Sequence, residues 1–532
     1  MDTLLNVPKS NTLLPALPNE VLIKIFSYLS HTGIQQIKLV CKNWYHLTHV
    51  PELKYKSKLV ITKENIQDIY DFMESHKFHL EYLIYACVEV NEYRLDSLDF
   101  QFLVKILRKL GAHILKLKLR HQSTLSSIND YLPNLKELNL SLLLPEIRMC
   151  LDNLVNFSKF QSVESLLMPS VRSHPLLYKL LCSANAPFTH LKKLSVSISD
   201  EGLPVIFLET YASVLRWLKI KGGNRYDEVG EWDSQSLEVF TKYLQLEVLI
   251  ITDSFFSGYN FLEIILTNLP QENRLKTIHL EERCDAELLE LVIRKWSSSL
   301  EYLHWSGGGL YEDLSKQLSM LSGKLRYLCL VHTLGLTLDG IAPEKNTILT
   351  GLKLERICDR SHQDRLYLLL QRLPNLTALN LIFSGLKPDD RTLGYIFEHL
   401  VHLRILLLNR CCCESLGPKF TTNNLKRLHA LVSCYCPIVA FSNFNSQFGE
   451  LSKLGLLSCS REERRLASAP EQSREDFPAL EQLSLNGFSM SKSQEIRKNF
   501  PRLNEEFVYF GLMGAFVENI WENYLFRYDL RE

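Results

Sequence analysis

The sequence predicts an α/β protein in which a small N-terminal helical segment precedes a long solenoid of strand-plus-helix repeats. Two observations predict the solenoid: a six-residue motif with apolar first, fourth and sixth positions occurs fifteen times, and most intervals between copies contain an apolar run of helical spacing. A third observation predicts the helical segment, because apolar residues near the N-terminus recur at spacings of three and four. The 532 residues are therefore expected to form one repeat array with a small appended module.

The repeats are predicted to occupy residues 114–500. Fourteen intervals span the 366 residues between the first copy at 114 and the last at 480, so the mean period is about 26, within the leucine-rich-repeat range. The copies are Ile114-Leu117-Leu119, Leu135-Leu138-Leu140, Val163-Leu166-Met168, Leu191-Leu194-Val196, Leu215-Leu218-Ile220, Leu246-Leu249-Ile251, Leu275-Ile278-Leu280, Leu300-Leu303-Trp305, Leu325-Leu328-Leu330, Leu349-Leu352-Leu354, Leu376-Leu379-Leu381, Leu403-Leu406-Leu408, Leu425-Leu428-Ala430, Leu451-Leu454-Leu456 and Leu480-Leu483-Leu485.

Each repeat is predicted to be a short strand followed by a helix, as in the apolar stretches 261–266, 287–293 and 393–400. A lone unit cannot bury either apolar face, whereas stacked units form a horseshoe with a concave parallel sheet inside and helices outside. The open ends need covers. Residues 53–113 are expected to link and cap the start, and residues 501–532 to cap the end. The aromatic-rich stretch Phe507 to Leu530 has two interpretations, a cap on the last repeat or a partner-binding tail.

Residues 15–52, which follow a lead at 1–14 expected to be flexible, carry two predicted helices. Pro18 suits a first helical turn, because its missing N–H would have no partner there. About forty residues bury too little surface to stand alone, so some of the apolar side chains are expected to face a partner. The two apolar stripes comprise Leu17, Val21, Leu22, Ile25, Phe26 and Leu29 in the first helix and Ile34, Ile37, Val40, Cys41, Trp44 and Leu47 in the second.

The same residues resemble a known module. Leu17-Pro18-x-Glu20-x-Leu22-x-x-Ile25-Phe26-x-x-Leu29, followed by Val40-Cys41-Lys42-x-Trp44-x-x-Leu47, is similar to the F-box, which docks substrate receptors onto the Skp-type adaptor of cullin-RING ubiquitin ligases. One departure is Gly33-Ile34, where the family usually has Asp-Leu at the start of the second helix. The resemblance implies adaptor contact at Leu17, Pro18, Leu22, Ile25, Phe26, Leu29, Val40, Cys41 and Trp44, some of which would pack internally.

An F-box ahead of leucine-rich repeats resembles the F-box and leucine-rich-repeat family. This resemblance implies a non-catalytic substrate receptor of an SCF-type ubiquitin ligase, with no cofactor of its own. The F-box would bind the Skp-type adaptor and, through it, the cullin and RING subunits, while the concave surface would hold a target protein. The alternatives are a non-ligase F-box scaffold, a small-molecule-dependent receptor, and a plain repeat-protein inhibitor or enzyme.

Residues that flank the apolar strand positions are predicted to point to the concave face. Trp and Tyr dominate binding hot spots, so target contact is expected at Trp217, Lys219, His279, Tyr302, His304 and Tyr327. Two other interpretations stay open: the aromatic side chains fill space between strands, and the basic run is a solvated face instead of a guide for an acidic or phosphorylated segment. The face begins basic, becomes aromatic and ends apolar: Lys116, Lys118, Arg120, Lys193, Trp217, Lys219, Lys221, Val248, Ile250, His279, Tyr302, His304, Tyr327, Ala378, Ile382, Ile405 and Leu407.

Composition argues against several classes of partner. Lys plus Arg and Asp plus Glu number 60 each, so no overall charge favours nucleic acid or an acidic membrane surface. No apolar run approaches the roughly eighteen residues that a membrane span needs. Thirteen cysteines, together with an N-terminus that lacks the pattern of a secretory signal, indicate a reducing location in the cytoplasm or nucleus.

Motifs for catalysis or metal binding are absent from the sequence, which has no Walker-type loop, no His-Glu-x-x-His and no Gly-x-Ser-x-Gly. Gly307-Gly308-Gly309 could bind phosphate, but a tight turn with positive φ is favoured. His279 and His304 are interpreted as contact residues, because no nucleophile accompanies them. No metal site is expected, since zinc needs paired ligands. Small buried side chains at turns better explain Cys284, Cys358, Cys411, Cys412, Cys413, Cys434, Cys436 and Cys459.

Overall fold

A computed structural model of the chain comprises two units, Met1–Leu194 and Ser195–Glu532, each of which is described by itself. The residues that it describes are 17–27, 29, 31–50, 53, 58–75, 87–91, 97–120, 122–143, 157–170, 174, 177–178, 181, 188–197, 205–222, 238–252, 260–307, 314–321, 323–333, 338–341, 347–357, 363–382, 384, 386, 388–409, 424–434, 450–457, 482–486, 508–509, 517, 520 and 521.

The first unit opens with three helices: α1 (Asn19–Phe26), α2 (His31–Ile37) and α3 (Lys42–Leu47). The sequence predicted one helix where α2 and α3 occur. The chain turns at residues 38–40, and the Cys41 thiol then caps α3 by accepting the Trp44 N–H at 3.5 Å. Pro18 precedes α1, and its carbonyl accepts the first two helical N–H bonds, from Val21 and Leu22. Because α2 and α3 are separate helices, the apolar side chains of residues 31–47 do not lie along the face of a single helix.

A parallel sheet and short helices follow in the first unit. Strands β1 to β5 pair in chain order, each with the next, and Leu117 and Leu138 sit opposite each other in register. The parallel ladder thus begins before residue 114, where the predicted repeats start. The elements are β1 (Lys58–Ile61), α4 (Ile66–Ser75), β2 (Cys87–Val90), α5 (Ser97–Leu110), β3 (Lys116–Lys118), α6 (Gln122–Ile128), β4 (Glu137–Asn139) and β5 (Ser165–Leu167). Strand β6 (Lys193–Ser197) spans the boundary between the units.

Strands β7 to β15 of the second unit alternate with helices or shorter turns, and each strand pairs in parallel with the next. The elements are β7 (Trp217–Lys221), β8 (Val248–Thr252), β9 (Thr277–Cys284), β10 (Tyr302–Gly307), β11 (Tyr327–Val331), β12 (Gly351–Glu355), β13 (Ala378–Asn380), β14 (Ile405–Asn409) and β15 (Ala430–Cys434). The helices are α7 (Val205–Tyr211), α8 (Asn260–Asn268), α9 (Ala286–Trp296), α10 (Ser315–Ser319), α11 (Gln363–Gln371) and α12 (Asp390–His399).

The same ladder ends with β16 (Lys453–Leu457), β17 (Gln482–Asn486) and the two-residue β18 (Val508–Tyr509). Strand β18 pairs with β17, so the backbone near residue 508 extends the sheet beyond the last predicted repeat. Val517, Ile520 and Trp521 are helical. None of the helices in the described residues is both long and apolar enough to cross a bilayer.

The leucine motif explains why these segments stack. Its first and fourth positions, such as Leu246 and Leu249, are fully buried between the sheet and the helices. The N–H groups of Glu247 and Val248 both donate to the Arg216 carbonyl, at 2.8 and 3.0 Å, and equivalent bonds recur between the following repeats. Each repeat therefore supplies its neighbour with both an apolar contact and backbone partners, and the predicted leucine-rich-repeat solenoid is confirmed in each unit.

One repeat has a different phase from the predicted motif. The prediction placed Leu425-Leu428-Ala430 in the apolar positions, but β15 begins at Ala430 and pairs Leu431 with Leu406. The motif in this repeat is therefore Leu428-Leu431-Ser433. Ala430 moves to the opposite face of the sheet, which the next subsection describes.

Candidate functional site

Five apolar side chains of the N-terminal helices are exposed. Leu17 lies two residues before α1, and Val21 and Ile25, four residues apart, share one face of that helix. Leu39 and Val40 lie in the turn between α2 and α3. The exposed fractions of these five side chains are, in that order, 50, 42, 44, 88 and 60%. We call these five residues the N-terminal patch. A group of exposed apolar side chains on so small a module is typical of an interaction surface.

The two parts of the N-terminal patch meet at one end of the helices. Asn43 Nδ2 donates a hydrogen bond of 3.4 Å to Asn19 Oδ1, which holds the start of α3 beside the start of α1. Val40 lies two residues before α3, and Leu17 lies two residues before α1. Apolar side chains from two separate parts of the sequence are thus presented together.

The helices bury a separate core of their own. Phe26 and Trp44 meet edge to face, with ring centroids 5.1 Å apart and planes at 66°. The buried cluster is Leu22, Phe26, Ile34, Leu47 and Leu53, and Ile23, Leu29, Ile37, Trp44 and Val50 pack against it. Within the part of the chain that the structure describes, every member of this core comes from residues 22–53, and no repeat residue contributes to it. The exposure of the N-terminal patch is therefore compatible with a folded module.

The structure sorts the nine predicted adaptor contacts into three groups. Leu17, Pro18, Ile25, Val40 and Cys41 are exposed, Leu22 and Phe26 are buried, and Leu29 and Trp44 are partly buried against the core. Sequence reasoning left Val21 and Leu39 out of the predicted contacts. Leu39 carries no sequence signal for exposure, because consecutive apolar residues near the end of a helix can both be buried, as Leu369 and Leu370 are in α11.

The predicted basic run in the first unit is paired with carboxylates. Lys116 Nζ lies 2.7 Å from Glu137 Oε2, and Lys118 Nζ lies 3.1 Å from Glu89 Oε1. Lys58 pairs with the other oxygen of Glu89. Burial alone would raise the pKa of the Glu89 carboxyl, but Lys58 and Lys118 outweigh burial and leave this pKa below its usual value. This part of the sheet face carries mixed charge, which weakens its predicted role as a purely basic guide.

A row of polar side chains crosses β9 to β12 on the face opposite the leucine core. His279, His304, Cys329 and Lys353 occupy matched positions on these neighbouring strands. The two imidazole rings stack with centroids 3.9 Å apart, and His304 Nε2 lies 4.0 Å from the Cys329 sulfur. We call these four residues the polar row. Lys353 also pairs with Glu355 at 2.8 Å.

Protonation of the polar row argues against nucleophilic chemistry there. Burial raises the pKa of the Cys329 thiol to about 12, so the reactive thiolate is not populated near neutral pH. Burial, followed by the charges of His279 and Lys353, lowers the pKa of His304 well below its ordinary value. Burial lowers the pKa of Lys353, but the neighbouring Cys329 and Glu355 outweigh it and leave Lys353 charged. A neutral imidazole beside a protonated thiol is an arrangement for packing and contact.

The aromatic side chains next to the polar row are buried, not exposed. Tyr302 and Tyr327 stack with centroids 4.3 Å apart and planes at 1°, and both rings are fully enclosed. Trp521 covers this stack: its ring lies 5.8 Å from that of Tyr327, and its Nε1 donates to the Tyr327 hydroxyl at 2.8 Å. Tyr302 and Tyr327 were expected to be free for a target. That premise is wrong, because the chain's own C-terminal residues occupy the position.

The covered surface extends over several strands. Val517, Ile520 and Trp521 pack into one apolar cluster with side chains of β10, β11, β13, β14 and β15. We call the sheet side of this cluster the inner wall and the three helical residues the C-terminal segment. The inner wall comprises Tyr302, Tyr327, Cys329, Val331, Ala378, Ile382, Leu407, Ala430 and Val432, with Ile405 packed beside them. Residues 501–532 were expected to cap the last repeat, and three described residues of that range cover this sheet face.

The remaining predicted contacts are less exposed than expected. Trp217 is buried, Lys219 and Lys221 are half-buried, and His304 is buried, while His279 is half-buried and lies 3.0 Å from Glu281. Trp217 sits opposite Val248 in the sheet, which favours the interpretation that it fills space between strands. Of the six predicted target contacts, only Lys219 and His279 are therefore not fully buried, and the His279 side chain is 12% exposed.

The predicted turn and cysteine sites can be examined in part. Gly307 ends β10, and a Cβ there would lie 3.0 Å from the His332 carbonyl oxygen, so close approach and not positive φ favours glycine. Positive φ occurs instead at His332 and Arg356, after β11 and β12. The described residues hold no group of three potential metal ligands. Cys284 is buried at the end of β9, Cys434 ends β15, and Gly308, Gly309, Cys358, Cys411, Cys412, Cys413, Cys436 and Cys459 lie outside the described residues.

Comparison with known proteins adds a family assignment at the N-terminus. Residues 14–57 match the family model described as F-box-like. No curated protein sequence matches the chain. The matched residues contain α1, α2, α3 and the whole core beneath the N-terminal patch.

Several solved structures resemble the chain at low identity. A chain of the TLR13–ssRNA13 complex is 14% identical with a TM-score of 0.38, over 82% of this chain and 64% of that one, so the present chain spans less than two thirds of it. A chain of the yeast Rad7–Elc1 complex is 13% identical with a TM-score of 0.40, over 84% and 93%. The leucine-rich repeat-containing protein LegL7 of Legionella pneumophila is 15% identical with a TM-score of 0.30, over 52% and 85%. These similarities carry no functional argument.

An F-box-like domain followed by stacked leucine-rich repeats defines a class of protein. The domain is established by the match at residues 14–57 and the repeats by the parallel ladders of both units. The chain thus contains an F-box-like domain and leucine-rich repeats, the combination that the F-box and leucine-rich-repeat proteins have.

Proposed function

We propose that this protein is the substrate-recognition subunit of an SCF-type ubiquitin ligase. In this proposal the F-box binds a Skp-type adaptor, and the adaptor connects the chain to cullin and RING subunits. The leucine-rich repeats hold a target protein, and the chain itself performs no chemical step. The proposed complex is intracellular, in the cytoplasm or the nucleus, and involves neither nucleic acid nor a membrane.

The N-terminal patch is the observation that carries the proposal. Leu17, Ile25 and Val40 are exposed, although the helices beside them have a complete core of their own. Exposed apolar area on a folded module is stabilised when a partner covers it, at roughly 25 cal/mol for each Å² removed from water. The F-box-like match at the same residues supports a Skp-type adaptor as that partner.

The proposed catalytic contribution is positional. A receptor that holds a target near a ubiquitin thioester raises the local concentration of the target lysine, and tethering of this kind gives effective concentrations of about millimolar. Acid-base groups in the receptor are not needed for this effect. The protonated Cys329 and the neutral His304 are consistent with a surface used for contact.

Co-purification of a Skp-type adaptor with the full-length chain tests the proposal. We expect Leu17→Ala combined with Pro18→Ala to abolish co-purification, because it truncates exposed side chains at the start of α1. Leu244→Ala is the matched control, since Leu244 is an exposed leucine of the second unit. It should retain the adaptor fully. Both variants should unfold within about 0.5 kcal/mol of the wild type, as is usual for surface substitutions.

Two results would count against this function. Full adaptor binding by the Leu17→Ala, Pro18→Ala variant would exclude the N-terminal patch as the docking surface. Adaptor binding without cullin recruitment, in a mixture of purified adaptor, cullin and RING subunits, would instead indicate an F-box scaffold outside a ligase.

A further inference from the structure

The C-terminal segment makes the contacts of a bound helix. Val517, Ile520 and Trp521 stand at positions i, i+3 and i+4, the spacing that places side chains on one helical face. All three are buried, with exposed fractions of 8, 2 and 5%. An amphipathic helix laid into an apolar groove is recognised through the same spacing of anchors.

The inner wall has the composition of a recognition surface. Two tyrosine rings form its aromatic end, and Ile382, Leu407 and Val432 form its aliphatic part. The indole of Trp521 makes two interactions there: its ring packs against Tyr327, and its N–H donates a hydrogen bond to the Tyr327 hydroxyl. Trp and Tyr are the residues most enriched at binding hot spots, and a buried indole N–H requires an acceptor.

We propose that the inner wall is a helix-binding surface that the C-terminal segment keeps closed, and that its external ligand is an amphipathic helix with an indole at the Trp521 position. The C-terminal segment acts as a ligand supplied by the same chain. A partner helix with two aliphatic side chains and a tryptophan in the order of Val517, Ile520 and Trp521 displaces it. This inference deepens the proposed function, because it specifies which target helices the repeats accept.

Covalent attachment explains how so small a segment closes the wall. A tethered ligand has an effective concentration of about millimolar, so three anchoring side chains with weak intrinsic affinity suffice. An intrinsic dissociation constant of about 0.1 mM for the C-terminal segment would keep the wall about 90% closed, and a free helix with an intrinsic dissociation constant of about 1 μM would still bind at about 10 μM. Lys353 and Glu355, which pair with each other on β12 between the wall strands β11 and β13, give a partner helix additional polar contacts.

A peptide-binding experiment on full-length chains tests this inference. The probe is a fluorescent peptide of residues 510–532, and its affinity is measured by anisotropy for the wild type and for Trp521→Ala. We expect the variant to bind the peptide at least tenfold more tightly than the wild type, because its own segment no longer holds the wall. A designed helix that keeps only the Val, Ile and Trp anchors should bind the variant within about tenfold of the natural peptide.

Three controls make each outcome informative. A peptide carrying Trp521→Ala should not bind, Met320→Ala should behave as the wild type because Met320 is exposed, and Tyr327→Phe in the Trp521→Ala chain should weaken peptide binding by removing the acceptor. Equal peptide affinity for the wild type and Trp521→Ala would overturn the inference. So would loss of cooperative unfolding in Trp521→Ala, because the segment would then be a fixed part of the fold. If the designed helix did not bind the Trp521→Ala chain, the proposed ligand class, an amphipathic helix with an indole, would be wrong.

The same samples separate this inference from the proposed function. Adaptor co-purification depends on the N-terminal patch, so Trp521→Ala should retain the adaptor at the wild-type level. Peptide binding as expected with no adaptor binding by any chain would remove the ligase function and leave the helix-binding surface. Adaptor binding without any peptide binding would leave the ligase function in place and remove the helix-binding surface.

Discussion

The N-terminal patch and the inner wall are both rich in apolar side chains, yet only one of them faces solvent. In the F-box the core closes with its own residues, and Ile25 and Leu39 remain outside it. On the inner wall, side chains that alternate away from the leucine core are enclosed by Ile520 and Trp521. Periodicity identifies which face a side chain occupies, but not whether another part of the chain covers that face.

Two neighbouring residues of α1 differ strongly in exposure and therefore have different roles. Ile25 is 44% exposed and belongs to the N-terminal patch, whereas Phe26 is 2% exposed and contacts Trp44 within the core. The two positions differ by about 100° around the helix. One side chain can therefore be removed to test docking and the other to test folding.

The largest effect that we predict comes from Phe26→Ala. Removing a fully buried phenylalanine costs about 3–5 kcal/mol, which should unfold α1 to α3 locally because the core of this module is small. Hydrogen exchange of the α1 and α3 amides should become much faster. Ile25→Ala is the matched control, and its effect on stability should be within about 0.5 kcal/mol. Equal loss of protection in the two variants would mean that the core and the patch are not distinct.

A smaller effect is expected from pH at the second region. Burial, followed by the charges of His279 and Lys353, lowers the folded-state pKa of His304, so the unfolded chain binds more protons below the ordinary value of 6.5. Stability should therefore be unaffected by His304 above this pH and should decrease as pH falls below it. Cys329, the other titratable neighbour in contact, remains protonated throughout this range.

Melting temperatures between pH 8 and pH 5 check this prediction. The His304→Gln chain carries no titrating group at this position, so its melting temperature should fall less on acidification than that of the wild type. An identical fall in both chains would show that protonation of His304 is not the cause.

The repeats could be predicted from the sequence because leucine spacing directly reflects burial. The exception, Leu425, shows the limit: the neighbouring leucine at 428 allows two phases three residues apart, and only pairing with β14 selects one. Strands β1 and β2 precede the first complete motif, so the start of the ladder could not be predicted from it.

The candidate sites were predictable to different degrees for a physical reason. The nine predicted F-box contacts lie within residues 17–44, in or next to short helices whose core comes from the same part of the sequence, and five of the nine are exposed. The state of Tyr327 depends on Trp521, which lies 194 residues away in the sequence. No local pattern reports such a contact, although the aromatic-rich C-terminus indicated that some apolar surface needed covering there.

Hydroxyl-radical footprinting of the full-length chain measures the contrast between the two regions directly. For each side chain, the oxidation rate in the folded protein is divided by the rate in the urea-unfolded chain, which corrects for intrinsic reactivity. We expect this ratio to be high for Leu39 and Val40 and low for Tyr327 and Trp521. A ratio for Trp521 as high as that for Leu39 would contradict the account, because the inner wall would then be open to solvent.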